Sequence, residues 1–133
     1  MKFHEFLVRV RYSETDQMGV VYHGNYAQYF EMGRVEWLRN IGFSYKFMEE
    51  KGIMLPVVSL NINFKKPARY DDLLRVRTVF KSQTSVKIEF DYEIYNESDE
   101  LLTTGTSVLV FVDMKTGRPT LPPDYVKEKL KLM

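Results

Sequence analysis

The chain has 133 residues, of which 44% are hydrophobic and 28% are charged, and its formal net charge is +1. Its length predicts one domain spanning residues 1–133, and its small net charge argues against a broad nucleic-acid-binding surface. The apolar runs are far shorter than the ~20 residues of a membrane span, and the absence of cysteine excludes disulfides, thiol nucleophiles and thiolate metal sites. Without an apolar leader at its start, the sequence predicts a cytoplasmic protein.

One strand and one long helix are predicted in the first third of the chain. Residues 6–12 alternate between apolar and polar side chains, which is the period of a strand. Apolar residues then recur at helical spacing over residues 26–41, and Gly42 is a natural stop. Gly33 lies on the apolar stripe. Because glycine costs about 1 kcal/mol of helix propensity, it predicts the close approach of another backbone.

Four further strands are predicted after the helix, at residues 58–64, 74–80, 86–94 and 101–114. The last run is almost continuously apolar or Thr-rich, which is typical of a strand buried on both faces. Short polar connections at residues 82–84 and 96–99 are typical of antiparallel hairpins, so the last three strands should form a meander. This order of elements predicts an α+β fold in which one long helix packs on a curved antiparallel sheet.

Two shorter helices are predicted at residues 44–51 and 122–132. The usual catalytic motifs are missing, because the chain has no Gly-x-Ser-x-Gly elbow and no Gly-rich phosphate loop. Two histidines without cysteine argue against a zinc site. Serine hydrolases and metalloenzymes are therefore disfavoured.

The segment between the first strand and the long helix contains groups that suit acyl transfer. It reads TDQMGVVYHGNY, with Asp16 after the strand that Tyr12 ends and His23 before the helix. A helix N-terminus offers unpaired N–H groups and about half a positive charge, which suits a developing oxyanion. A carboxylate facing it would supply a nucleophile or general base. The same pattern also fits a turn aspartate, a capping histidine and a structural tyrosine.

Two further groups of residues have both a functional and a structural interpretation. Asn25, or Gly24 before it, is a candidate helix N-cap. The basic cluster of Lys65, Lys66 and Arg69 fits either a phosphate site or a solvated face. Because the net charge is too small for diffuse attraction, any anionic ligand has to be bound by such local groups.

The sequence is similar to a known enzyme family over nearly its whole length. It resembles the hotdog-fold acyl-CoA thioesterases of the 4-hydroxybenzoyl-CoA thioesterase family, in particular their YbgC-like branch. The likeness lies in RYSETDQMGVVYHGNY at residues 11–26 with its continuation to Gly42, in FKKPARYDD at residues 64–72 and in TGRP at residues 116–119. The Thr-Asp…Gly…Tyr-His…Asn-Tyr spacing makes this a fairly specific signal.

The resemblance implies a fold, a reaction and an assembly. The fold is a long central helix wrapped by a five-stranded antiparallel sheet, paired edge to edge into homodimers and commonly homotetramers. The reaction is hydrolysis of an acyl-CoA thioester without a metal or organic cofactor. At the matching positions Asp16 is the catalytic carboxylate, His23 and Tyr12 support it, and the backbone N–H near His23 polarises the thioester carbonyl. The predicted substrate-binding residues are Gly24, Asn25, Lys65, Lys66 and Arg69.

Two other functions fit the same sequence. A hotdog hydratase or dehydratase would need a differently placed histidine and acid, and Glu31 is the one acidic residue at a suitable place after His23. A non-catalytic module that binds acyl-CoA or lipid would leave Asp16 without an evident task. Thiol release from acyl-CoA distinguishes both from a thioesterase.

Overall fold

The computed structural model describes residues 3–133, which fold as a five-stranded antiparallel sheet packed against a long helix, with a small second sheet. The strands are β1 Phe3–Arg9, β2 Ile53–Met54, β3 Val57–Phe64, β4 Leu73–Thr84, β5 Lys87–Tyr95, β6 Leu101–Val110, β7 Val112–Asp113 and β8 Arg118–Pro119. The helices are α1 Tyr26–Ile41, α2 Tyr45–Glu50 and α3 Asp124–Lys131, and short 3₁₀ helices cover Tyr12–Glu14 and His23–Asn25.

The main sheet has five strands in the order β1-β4-β5-β6-β3, and every neighbouring pair is antiparallel. The consecutive strands β4, β5 and β6 form the predicted meander. Strands β2, β7 and β8 form a small second sheet. The predicted α+β layout, with one long helix and five antiparallel strands, is confirmed. No helix within residues 3–133 is long and apolar enough to cross a membrane.

Helix α1 forms the centre of the core and packs its aromatic stripe against the inner face of the sheet. The ring of Phe30 stacks on that of Tyr92 with centroids 4.3 Å apart, and Trp37 meets Phe90 edge-on at 5.0 Å. Gly42 ends the helix with a φ of 115°, the left-handed conformation in which glycine carries no steric penalty. The predicted bounds of the helix are therefore confirmed at both ends.

Gly33 allows α1 to lie close to strand β4. A Cβ atom at this position would collide with the hydroxyl of Thr78 and would lie 3.1 Å from a methyl group of Val76. The close approach predicted from the sequence is present, although the neighbours are side chains of the strand rather than its backbone.

A buried arginine on α1 has its charge met by tyrosine hydroxyls. Arg34 is 5% exposed, and its Nε and Nη1 donate to the hydroxyls of Tyr45 at 3.0 Å and Tyr92 at 3.3 Å. The Tyr92 hydroxyl also lies 2.6 Å from the Ser107 hydroxyl. Burial raises the pKa of both tyrosines, which keeps them protonated beside the guanidinium.

Three predicted boundaries are wrong. Strand β1 ends at Arg9, so Tyr12 does not end a strand and lies in a 3₁₀ helix. Strand β4 continues to Thr84 because the hairpin turn lies later, at Ser85, with a φ of 53°. The predicted last strand divides at Phe111 into β6 and β7, which belong to different sheets.

Strand β3 forms an open edge of the main sheet. It pairs with β6 on one side only, so its other side presents unpaired backbone groups. Seven of its eight residues are exposed, including Val58 at 58%, Leu60 at 40% and Phe64 at 54%. An edge strand with this much exposed apolar surface is a template for pairing with another chain.

We predict that Gly33→Ala destabilises the fold. The added methyl group meets the β-branched side chains of Thr78 and Val76, and overpacking of this kind costs typically about 1–3 kcal/mol. The gain of about 1 kcal/mol in helix propensity offsets only part of this cost. Urea unfolding measures the change, with the exposed helical substitution Gln28→Ala as control. A variant as stable as the wild type would show that strand β4 moves to accommodate the methyl group at no cost in the free energy of unfolding.

Candidate active site

The first part of the candidate site is a tight turn that we call the acidic hairpin, residues 15–21. Thr15 and Val21 pair across it in an isolated antiparallel bridge. The Asp16 N–H donates to the Val20 carbonyl at 2.8 Å, and the Gly19 N–H donates to the Asp16 carbonyl at 3.0 Å. Gly19 has a φ of 78°, which explains why glycine stands at the turn. Asp16 is therefore held in a defined backbone position.

The two carboxylate oxygens of Asp16 have different surroundings. Oδ1 accepts the backbone N–H of Met18 at 2.8 Å and that of Val20 at 3.4 Å, as in an Asx turn. Oδ2 has no hydrogen-bond partner among residues 3–133, and the residue is half-buried. One oxygen therefore fixes the turn, and the other is free to meet a substrate or a water molecule.

The second part of the candidate site is the start of the long helix. The 3₁₀ helix His23–Asn25 runs directly into α1, with the Asn25 N–H donating to the Tyr22 carbonyl at 2.9 Å. Helix geometry leaves the N–H groups of His23 and Gly24 without partners inside the helix. These are the donors that could polarise a bound carbonyl. Gly24 also leaves room for the Tyr22 ring, because a Cβ there would lie 2.7 Å from it.

A cavity of about 220 Å³ opens beside the helix start, and we call it the aromatic cavity. It is lined by Val21, His23, Tyr26, Phe64, Lys65, Lys66 and Pro67. The Tyr26 and Phe64 rings meet edge-on with centroids 5.2 Å apart, and the His23 ring lies 6.4 Å from Phe64. The fold thus brings His23 together with two of the three predicted basic residues.

The three basic residues have different environments. Lys66 forms an ion pair with Glu100 at 2.7 Å, and this hydrogen bond holds the pKa of the Glu100 carboxyl below its usual range. Lys65 has no such partner among the described residues. Arg69 does not line the aromatic cavity; its backbone bridges to Val20 in the acidic hairpin. Lys65 is therefore the lysine most available to an anionic ligand.

Tyr12 and Asp16 lie outside the aromatic cavity of the same chain. Tyr12 is 78% exposed, and its ring meets that of Tyr70 edge-on at 5.6 Å. Within the described residues, no hydrogen bond joins the Tyr12 hydroxyl to Asp16 or the Asp16 carboxylate to the helix start. The substrate-contacting roles of these residues, and those of Gly24 and Asn25, therefore remain predictions.

Sequence reasoning missed two features of this region. The sequence pattern places Tyr26 in the core stripe and Phe64 in a strand, although both also line the aromatic cavity. The sequence pattern also does not predict that Glu14 is a buried carboxylate, 5% exposed, at the base of the acidic hairpin. Its position three residues after Arg11, as in a capping box, was the only signal available. Residues 3–133 contain no cluster of three metal-ligating side chains.

Comparison with known proteins identifies the family. Residues 10–130 match the family model described as the thioesterase-like superfamily. The chain belongs to that superfamily. YneP of Bacillus subtilis, provisionally named an acyl-CoA thioesterase, is 42% identical over 112 residues, which cover 84% of this chain and 81% of YneP.

Two further relatives agree with this assignment. The acyl-CoA thioester hydrolase YbgC of Escherichia coli O6:H1 is 34% identical over 122 residues, which cover 91% of each chain. The crystal structure of a DHNA-CoA thioesterase from Staphylococcus aureus superposes with a TM-score of 0.93 at 38% identity and covers 99% of this chain and 91% of that one. The predicted hotdog fold and the family resemblance are confirmed.

We predict that Asp16→Asn keeps the acidic hairpin intact while Asp16→Ala loosens it. The asparagine oxygen can still accept the N–H groups of Met18 and Val20, whereas alanine loses both contacts. Each net hydrogen bond contributes about 0.5–1.5 kcal/mol. Urea unfolding should place Asp16→Asn within about 0.5 kcal/mol of the wild type and Asp16→Ala clearly below it. Equal losses for both variants would show that the charge, not the acceptor, holds the turn.

Proposed function

We propose that this chain is an acyl-CoA thioesterase that hydrolyses a thioester to a free acid and CoA. The observation that carries the proposal is the free Oδ2 of Asp16 on a hydrogen-bonded hairpin that ends at Val21, shortly before a helix start whose first N–H groups have no partner inside the helix. Membership of the thioesterase-like superfamily and relatives named as acyl-CoA thioesterases support it.

The reaction needs an attacking group and a stabilised oxyanion. In one route Asp16 Oδ2 attacks the thioester carbonyl, CoA leaves as the thiolate, and water hydrolyses the resulting mixed anhydride to the free acid. In the other, Asp16 removes a proton from water, the water oxygen attacks the carbonyl directly, and the C–S bond then breaks to release CoA as the thiolate. In both routes the N–H groups of His23 and Gly24 stabilise the carbonyl oxygen as it becomes negative. Both routes consume one water and release the same products.

The aromatic cavity beside the helix start supports a binding role. Its aromatic walls suit an apolar portion of the substrate, and Lys65 and Lys66 at its edge suit the phosphates of CoA. Asn25 lies at the junction of the 3₁₀ helix and α1, where its position helps to set the direction of the helix start. Arg69 lies beside the acidic hairpin and outside this cavity, and we propose that its side chain reaches the same anion.

We also propose that the active form is a homodimer or homotetramer, with the site at a subunit interface. The open, largely exposed edge of β3 ends at Phe64, which lines the aromatic cavity. A second chain paired along β3 would cover Val58 and Leu60 and would stand beside that cavity. Light scattering tests this assembly, and a fully active monomer would contradict it. We place the protein in the cytoplasm, in keeping with its lack of cysteine.

The two rival functions have less support. A hydratase or dehydratase would depend on Glu31, which is exposed on α1 and does not line the aromatic cavity. A non-catalytic binding module leaves the free oxygen of Asp16 unused. Free-thiol release over short, long and aromatic acyl-CoAs tests the proposed function, and tight binding without release would favour the binding module.

We predict a ranking of three variants in kcat/KM, with Tyr12→Phe mildest, His23→Ala intermediate and Asp16→Asn lowest. Loss of the carboxylate should cost about 10²–10⁴-fold or more, because it removes the nucleophile or base. His23→Ala keeps the backbone donor and should cost about tenfold to a hundredfold through orientation. Tyr12→Phe keeps the ring contact with Tyr70.

The matched control for Asp16→Asn is Asp113→Asn. Asp113 also accepts an N–H two residues later, from Lys115 at 2.9 Å, but lies in β7 outside the candidate site. The Asp113→Asn substitution should leave kcat within about twofold of the wild-type value. All variants are compared on one acyl-CoA at saturating and limiting concentrations. An Asp16→Asn enzyme that keeps a tenth of the wild-type kcat would reject the mechanism.

We predict that the double variant Lys65→Ala/Lys66→Ala raises KM and weakens its dependence on salt while kcat stays close to the wild-type value. Loss of binding that is equal in the ground state and the transition state has this signature. The control Lys46→Ala/Lys131→Ala removes the same charge from exposed positions outside the aromatic cavity. Equal KM values for the two double variants would mean that Lys65 and Lys66 are solvent-exposed side chains that do not bind the substrate.

A further inference from the structure

Glu14 is a buried carboxylate at the base of the acidic hairpin. Its side chain is 6% exposed, and Oε1 accepts the backbone N–H of Arg11 at 2.8 Å and the hydroxyl of Tyr29 at 3.0 Å. Oε2 lies 3.3 Å from the guanidinium of Arg11. The side chain therefore ties the 3₁₀ helix that precedes the hairpin to the buried face of α1.

The main chain of Glu14 reaches the other side of the site. Its carbonyl accepts the N–H of Tyr22 at 2.9 Å and the side-chain amide of Asn25 at 2.8 Å. Tyr22 and Asn25 flank the two residues whose N–H groups are unpaired inside the helix, His23 and Gly24. One residue thus connects the segment leading to Asp16 with the start of the long helix.

Tyr29 anchors this arrangement in the core. It is fully buried on α1, and burial together with the neighbouring Glu14 charge raises its pKa well above the usual range. Its hydroxyl stays protonated and remains a donor to Glu14. The position of Glu14 is therefore fixed by α1, which continues directly from the 3₁₀ helix that carries the candidate oxyanion donors.

We propose that Glu14 is a positioning residue for thioester hydrolysis, which holds Asp16 and the N–H groups of His23 and Gly24 in one fixed relation. The inference rests on the proposed function. Glu14 does not touch the substrate; it acts through the acidic hairpin and the helix start. A buried carboxylate is costly to desolvate, and an apolar residue at such a place is often neutral or stabilising. This carboxylate fixes the residue against Arg11 and Tyr29, and the Glu14 carbonyl then binds Tyr22 and Asn25, so the charge has a task in the site.

The experiment compares Glu14→Ala with Glu14→Gln. Glutamine can still accept the N–H of Arg11 and the hydroxyl of Tyr29, whereas alanine leaves both donors unpaired. We expect Glu14→Ala to lower kcat about tenfold to a hundredfold with KM within about twofold, because small displacements of catalytic groups have effects of this size. Glu14→Gln should restore kcat to within about threefold of the wild type.

A second pair of variants separates positioning from stability. Tyr29→Phe removes the hydroxyl that holds Glu14, and Tyr92→Phe removes a comparable buried hydroxyl, bonded to Arg34 and Ser107, away from the site. Both variants should lose similar thermal stability, but only Tyr29→Phe should lower kcat when both are assayed well below their Tm. Amide chemical shifts of Asp16 and His23 should move in Glu14→Ala and stay close to the wild-type values in Glu14→Gln.

The outcomes separate the two proposals. A wild-type protein that releases no thiol from acyl-CoA would reject the proposed function together with this role. An active wild type with an unchanged kcat in Glu14→Ala would reject the role of Glu14 alone. A kcat that falls equally in Tyr29→Phe and Tyr92→Phe would also reject it, because the loss would then follow stability. The expected pattern is a loss in Glu14→Ala and Tyr29→Phe, with recovery in Glu14→Gln.

Discussion

The burial of helix α1 against the curved sheet is the constraint on which the rest of the structure depends. Tyr29, Phe30 and Trp37 are at most 1% exposed, so the helix axis is fixed by close packing over most of its length. Its first turn then emerges at one end of the sheet, where the hydroxyl of Tyr26 accepts the N–H of Ala68 at 3.3 Å. The helix start, the loop after β3 and the acidic hairpin meet there, because Ala68 in that loop is hydrogen-bonded to both Tyr26 and Val21.

Tyrosine hydroxyls form hydrogen bonds to two buried charged groups in this core. Near the start of α1 the hydroxyl of Tyr29 donates to the buried carboxylate of Glu14, and one turn further along the hydroxyls of Tyr45 and Tyr92 accept from the buried guanidinium of Arg34. A neutral hydroxyl can act in either direction, whereas an opposite charge would have to be desolvated as well. The core therefore holds a buried charge of each sign, Arg34 on α1 and Glu14 packed against it, without a buried ion pair between α1 and the sheet.

Local patterns were sufficient to predict most of the fold but only part of the site. The apolar stripe and the stop at Gly42 defined α1, alternation located four of the five main strands, and a nearly continuous apolar or Thr-rich run located the fifth. Alternation continued to Tyr12 although β1 ends at Arg9, because Val10 leaves the ladder to exchange hydrogen bonds with the loop at Asp71 and Asp72. The aromatic cavity joins residues some forty positions apart, and the burial of Glu14 follows no period, so the spacing of Glu14 from Arg11 was the one sequence signal for either feature.

The unequal use of the two Asp16 oxygens has a consequence for entropy. A carboxylate on an unconstrained loop must give up side-chain rotation when it meets its reaction partner, and ordering one side chain costs up to about 2 kcal/mol. In the acidic hairpin, the N–H groups of Met18 and Val20 already restrict the rotation of the Asp16 side chain, because both donate to Oδ1. The free oxygen is therefore preorganised during folding, and whatever binds to it meets a group that no longer has to be ordered.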